Sequence, residues 1–190
     1  MTGQQTMNTI IHAAFRRDLA RFDAALYAFP AGSRQRADDL GAAWENFAYQ
    51  LHHHHQEEET IFFPALRELG AGDTLFGDLE EEHAAMLAAL KAANGAMRAL
   101  RSDPSSGNAE AARRSLGELK EVTDAHLAHE ERDLEPFAAS HAATPQLKAA
   151  NTAVRRSLGW NATGTFFAWL TDGADPGDVA ALRRVIPPPV

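Results

Sequence analysis

The residues able to do chemistry are concentrated in Leu51–Pro64, LHHHHQEEETIFFP, where four histidines are followed within a turn by three glutamates. The apolar positions ahead of this run show which side chains face inward. Leu40, Trp44, Phe47 and Leu51 step by four, three and four, the spacing of a buried helical stripe. Continued, that spacing falls on His54, Glu58, Ile61 and Ala65, so an imidazole and a carboxylate one turn apart occupy core positions. Neither belongs in a dry core without a partner. His52, His53, His55, Glu57 and Glu59 fall off the stripe; they are expected to be solvated or to stand behind the inward-facing pair.

The device recurs. His126 precedes Glu130 at the same spacing, on a stripe with Leu116, Leu119, Thr123 and Phe137. Each unit carries a second glutamate (Glu59, Glu131) and a proline ten residues after its histidine (Pro64, Pro136). Single histidines interrupt two further stripes. His12 leads Phe15, Leu19, Phe22 and Leu26, and His83 sits between Phe76, Leu79 and Met86, Leu90. The order is His12 then His54 and Glu58, followed by His83 then His126 and Glu130: an internal repeat of a helical hairpin.

Two buried carboxylates need compensation. Each costs several kcal/mol if left alone, against a total domain stability of about 5–15 kcal/mol, and no stripe position offers a lysine or arginine. A metal ion of charge two or three is the simplest answer. Two ions use the set fully: each takes two imidazoles, and Glu58 and Glu130 bridge. Imidazole with carboxylate fits iron, with manganese or zinc as the alternatives. The chain has no cysteine, which excludes disulfides, thiolate zinc sites, iron–sulfur ligation and cysteine nucleophiles together.

Four helices must position these groups. The stripes and turn residues predict helices over about Thr6–Phe29, Arg34–Leu69 with a bend at Pro64, Asp73 (as cap) to Leu100, and Ala109–Ala139. Short turns make neighbours antiparallel. The fold class is therefore all-α: an up-down four-helix bundle over residues 1–143, with a helical extension over 144–190 packed on it. The extension should hold helices over Gln146–Leu158 and Asn161–Leu170, the second carrying Phe166, Phe167 and Trp169, and one from Asp175-Pro176 to Val185. Pro187, Pro188 and Pro189 read as an extended tail.

The net charge of −8 argues against nucleic acid as a partner, and no basic block or long apolar run points to a membrane. The first residues do not read as a secretory signal, so a cytoplasmic location is expected.

Taken together, His12, HHHHQEEETIFFP, His83 and HLAHEERDLEP resemble the hemerythrin-like, HHE cation-binding family over about residues 6–140. The resemblance implies a four-helix bundle holding two iron ions in an oxo- or hydroxo-bridged di-iron centre. It implies one iron on His12 and His54, the other on His83 and His126, and bridging by Glu58 and Glu130. The pattern differs from that of the oxygen carriers. Leu87 stands where they have a second histidine, and Glu131 stands where they have a bridging aspartate. The match is closer to members that sense or process oxygen, peroxide, nitric oxide or iron. With Leu87 unable to coordinate, an exchangeable position is expected on the iron at His83, and with it slow peroxide decomposition. The alternative is a non-catalytic iron- or oxygen-binding or sensing module. Phe15, Phe47 and Phe62 are expected to wall the site, Tyr49 to lie a turn away, and His129 and His141 to be at the surface.

Overall fold

The computed structural model describes residues 6–157 and 159–185. Helix α1 (Met7–Tyr27) opens with a capping box: Thr9 donates its N–H to the Thr6 hydroxyl, and Thr6 donates its own to the Thr9 hydroxyl. Gly32, at φ 84°, makes the left-handed turn that follows. Ser33 then caps α2 (Arg34–Glu57) by accepting from the Arg36 N–H at 3.3 Å. After α3 (Phe63–Glu68), helix α4 (Asp73–Ser102) begins at Asp73 itself, with Gly72 as a cap lacking a side chain. The expected Asp73 cap is therefore absent. Helix α5 (Ser106–His129) is capped by Ser105, and α6 (Glu135–Ser140) continues it.

The bend expected at Pro64 takes the form of a π-helical turn. One such turn, Glu58–Phe62, joins α2 to α3, and a second, Glu130–Leu134, joins α5 to α6. In each, an N–H reaches back five residues, from Phe63 to the Glu58 carbonyl and from Glu135 to the Glu130 carbonyl. Pro64 and Pro136 follow at once. A proline ring clashes with the carbonyl four residues back, and a turn wider by one residue relieves that clash. The extra residue shifts the register. Ile61 and Ala65, expected on the buried stripe, are only half-buried, while Phe63 and Leu66 are buried. In the second unit Phe137 is likewise half-buried and Leu134 takes the core position.

Helices α1 and α4 each pack against both α2 and α5. The order around the bundle is thus α1, α2, α4, α5, the up-down arrangement that the short connections require. Buried residues fall into two apolar clusters. The larger includes Phe15, Phe22, Trp44, Phe47, Met86, Leu100 and Leu119; the smaller is built on Phe63, Leu66, Phe76, Leu79, Leu134 and Leu147. Along α2 into α3, and along α4, the histidines and glutamates lie in sequence between residues of the two clusters, so the polar level has apolar packing on both sides.

Helix α7 (Pro145–Ser157) places Leu147 against the smaller cluster. Helix α8 (Gly159–Thr171) packs on α1 through Phe166, Trp169 and Leu170, and α9 (Pro176–Val185) adds Ala181 and Leu182. The Trp169 ring lies 5.4 Å from Phe15, and its Nε1 donates to Asp18 at 2.7 Å. These helices thus extend the core rather than decorate it. The expected end of α7 at Leu158, the chain start and the tail at Pro187, Pro188 and Pro189 lie outside the described residues.

Candidate metal centre

Each bundle helix sends polar side chains to one level. Helix α1 brings His12, α2 brings His54 and His55, α4 brings His83 and α5 brings His126, with Glu58 and Glu130 opening the two π turns. His12, His126 and Glu130 are fully buried, and His54, His55, His83 and Glu58 are buried or nearly so. Two groups emerge from their ligand atoms. Within His12, His54, Glu58 and Glu130, one nitrogen or oxygen from each lies within 4.8 Å of the others. The same holds for His55, Glu58, His83 and His126. Glu58 belongs to both.

The rings are held from behind by carboxylates. His12 Nδ1 is 3.0 Å from Glu131 Oε1, His83 Nδ1 is 2.8 Å from Glu59 Oε1, and His126 Nδ1 is 2.9 Å from Glu82 Oε2. A carboxylate can only accept, so each of these Nδ1 atoms carries a proton, and in the neutral ring Nε2 then presents its lone pair inward. The consequence is plainest where His83 Nε2 faces His126 Nε2 at 3.2 Å. Two lone pairs at that distance repel unless a cation lies between them. The inner nitrogens of His12, His54 and His55, Glu58 Oε2 and both Glu130 oxygens are buried with no hydrogen-bond partner among the described residues. His12 Nε2 does approach Glu130 Oε2 at 3.3 Å, and His54 Nε2 approaches Glu58 Oε1 at 3.2 Å, but without hydrogen-bond alignment. So many orphaned buried donors and acceptors, aimed at two points, fit metal binding.

The electrostatics agree. Burial, reinforced by the neighbouring histidines, holds His54 and His55 well below the ordinary imidazole value, so both are neutral. Burial also lowers His126. For His12 burial opposes charge, but the pairing with Glu130 and Glu131 outweighs it and raises the pKa. Burial and then Glu130 push Glu58 well above the usual carboxylate range, whereas Glu130, despite its burial, is lowered by His12 and the other imidazoles. Burial likewise opposes ionisation of Glu131, yet His12 and Arg16 hold it at about 2.

A family model for the hemerythrin HHE cation-binding domain matches residues 10–138 of this chain. The chain belongs to that family. No curated protein and no solved structure matches it. The matched segment of this hemerythrin-like protein contains all of the histidines and glutamates of this site.

The six residues picked out in sequence, His12, His54, Glu58, His83, His126 and Glu130, are brought together. Three other expectations are corrected. His55 was expected off the buried stripe, yet it is only 9 % exposed and its ring lies 4.6 Å from that of His83. Phe63, not Phe62, stacks on His83, at 5.6 Å and 18°, because the π turn moves the register by one residue. His129 is largely covered and bonded to Glu82 at 2.8 Å, not at the surface. Leu87 is 54 % exposed and stands outside the ring of ligand atoms, on the wall of a cleft. Phe15 does pack on His54, at 5.4 Å, while Tyr49 is exposed beside His53.

The residues that sequence reasoning missed are His55, Glu82 and Arg16. His55 had a signal: Gly41, Ala48 and His55 recur every seven residues along the flank of the stripe, and a core-facing helix buries a flank as well as a single line. Glu82 and Arg16 had none, since each acts on a residue of a different helix.

Proposed function

We propose that this protein is a non-haem di-iron protein that acts on a small oxidant or gas, with hydrogen peroxide as its substrate. His12 and His54 hold one iron, His83 and His126 the other, and Glu58 and Glu130 bridge them. The observation that carries the reading is the set of orphaned inner nitrogens and carboxylate oxygens on four helices, backed by carboxylates on the outer nitrogens. Imidazole with carboxylate suits iron better than magnesium or calcium, which favour all-oxygen shells. Paired iron ions supply reversible redox change. The protein's part is to keep the ions at a fixed separation, to exclude bulk water through Phe15 and Phe63, and to admit only small molecules.

Access favours a small ligand. A cleft of about 310 Å³ between α2 and α4 reaches His55 and His83 past Leu51, Met86 and Leu87. Among the described residues no helix is long and apolar enough to cross a membrane. We place the protein in the cytoplasm; having no cysteine, it gains nothing from an oxidising compartment.

The test is oxygen evolution from peroxide by protein reconstituted with ferrous iron, beside the metal-free protein and Glu58→Ala. Turnover that depends on bound iron and is lost in Glu58→Ala is expected. Two bound irons without turnover would instead favour a non-catalytic iron- or oxygen-binding module. Failure to retain iron would overturn the reading.

A further inference from the structure

We propose that His55 is a fifth imidazole ligand, completing the metal position formed by Glu58, His83 and His126. The inference rests on the two-ion reading and refines it.

His55 has the burial of a ligand and lacks the partners of a structural histidine. It is 9 % exposed, and its Nε2 is buried without a hydrogen-bond partner among the described residues. Its ring centroid lies 4.6 Å from that of His83 and 5.2 Å from that of His126. Its ligand atom and those of Glu58, His83 and His126 lie within 4.8 Å of one another. A buried imidazole nitrogen left unpaired is unfavourable, so the position needs a reason, and a cation shared with two other imidazoles is one.

Helix geometry explains how adjacent residues serve different ions. Successive side chains on an α-helix diverge by about 100°. On α2 that divergence turns His54 toward α1, where its ring lies 5.5 Å from His12, and His55 toward α4 and α5, where His83 and His126 stand. Glu58, one turn on, lies between them and belongs to both groups. Helix α2 is thus the spine of the centre, giving one imidazole to each ion and a carboxylate to both.

Two consequences follow. The positions differ in their imidazoles: two converge on one and three on the other, with Glu58 common to both groups. The imidazole-rich position is the one beside the cleft, since His55 and His83 line it. The leucine at position 87 therefore does not leave that ion short of an imidazole. The missing nitrogen comes from the helix across the cleft.

The experiment titrates cobalt(II) into the metal-free protein and follows stoichiometry by competition with a chromogenic chelator and the visible absorption of the bound ion. Wild type is expected to take two ions per chain. His55→Leu should keep one ion at wild-type affinity, weaken the other at least tenfold, and change the absorption of that ion alone. His53→Ala should behave as wild type. Stability gives a second readout: His55→Leu should leave the metal-free protein at least as stable as wild type while reducing the stabilisation by cobalt. A merely structural role predicts the reverse, a weaker metal-free protein with both ions intact, and that result overturns the proposal. One ion or none in wild type would sink the two-ion reading itself. Two ions in both proteins, with the same spectrum, would sink only the role of His55.

Discussion

Glu131 stands 3.0 Å from the outer nitrogen of His12, and Arg16 clamps the same carboxylate with contacts of 2.6 and 3.2 Å. The adjacent residue, Glu130, places an oxygen 3.3 Å from the inner nitrogen of that ring. One ring is thus gripped on both sides by neighbouring glutamates at the start of a π turn. The outer grip fixes the tautomer and the ring plane, so Glu131→Ala should weaken metal binding about 10–100-fold without unfolding the protein. Arg16→Ala should have a smaller effect in the same direction, because the carboxylate remains. Chelator competition measures both, and an unchanged affinity in Glu131→Ala would refute the role.

Metal uptake should release protons from two residues in particular. His54, His55 and His126 are lowered and already neutral, and Glu130 is lowered and already ionised. His12 and Glu58 are raised, so they hold protons that a metal must displace. Affinity should therefore fall as pH is lowered from neutrality, and proton release should be reduced in Glu58→Gln. Calorimetry of zinc binding in buffers of different ionisation enthalpy counts the protons. An affinity flat between pH 5 and 8 would contradict the assignment.

The four bundle helices were legible because their stripes are long and their turns carry glycine, proline and serine at the expected places. His12, His54, Glu58, His83, His126 and Glu130 were legible because polar residues on an apolar stripe are anomalous. The α-helical period failed just past Glu58 and Glu130. There each proline imposes a π turn, and a strict period then selects Ile61 and Ala65 where the core takes Phe63 and Leu66. His55 was hidden for a different reason: a one-line stripe ignores the flank that α2 presents to α4. The outer carboxylates on His12, His83 and His126 all come from other helices, so no spacing within one helix reports which glutamate serves which ring.

Trp169 should matter to stability rather than to metal content. It is 8 % exposed, packs on Phe15, and donates to Asp18, while Arg17 donates to its carbonyl. Phe15 in turn packs on His54. Truncating a buried aromatic of this size costs about 3–5 kcal/mol, so Trp169→Ala should lower the urea midpoint substantially. Its bound metal should stay at the wild-type stoichiometry, since Trp169 touches a wall of the site and no ligand. Loss of metal with unchanged stability would show that α8 acts on the centre directly.

Removing the metal should reverse the sign of one substitution. An ion present at about a hundredfold excess over its dissociation constant stabilises the folded state by about 2.7 kcal/mol. For a chain of this length that is about 5–10 °C in melting temperature. Glu58 is a liability without metal, because its burial and the nearby Glu130 both oppose its ionisation. An amide at that position needs no ionised form, so metal-free Glu58→Gln should melt at or above metal-free wild type. With metal added the order should invert: wild type gains from both ions that share Glu58, and the variant gains little. Melting curves of both proteins, with chelator and with saturating metal, give the four numbers. If Glu58→Gln melts lower than wild type in chelator and gains as much from metal, then Glu58 is a structural hydrogen-bonding residue rather than the carboxylate common to two ions.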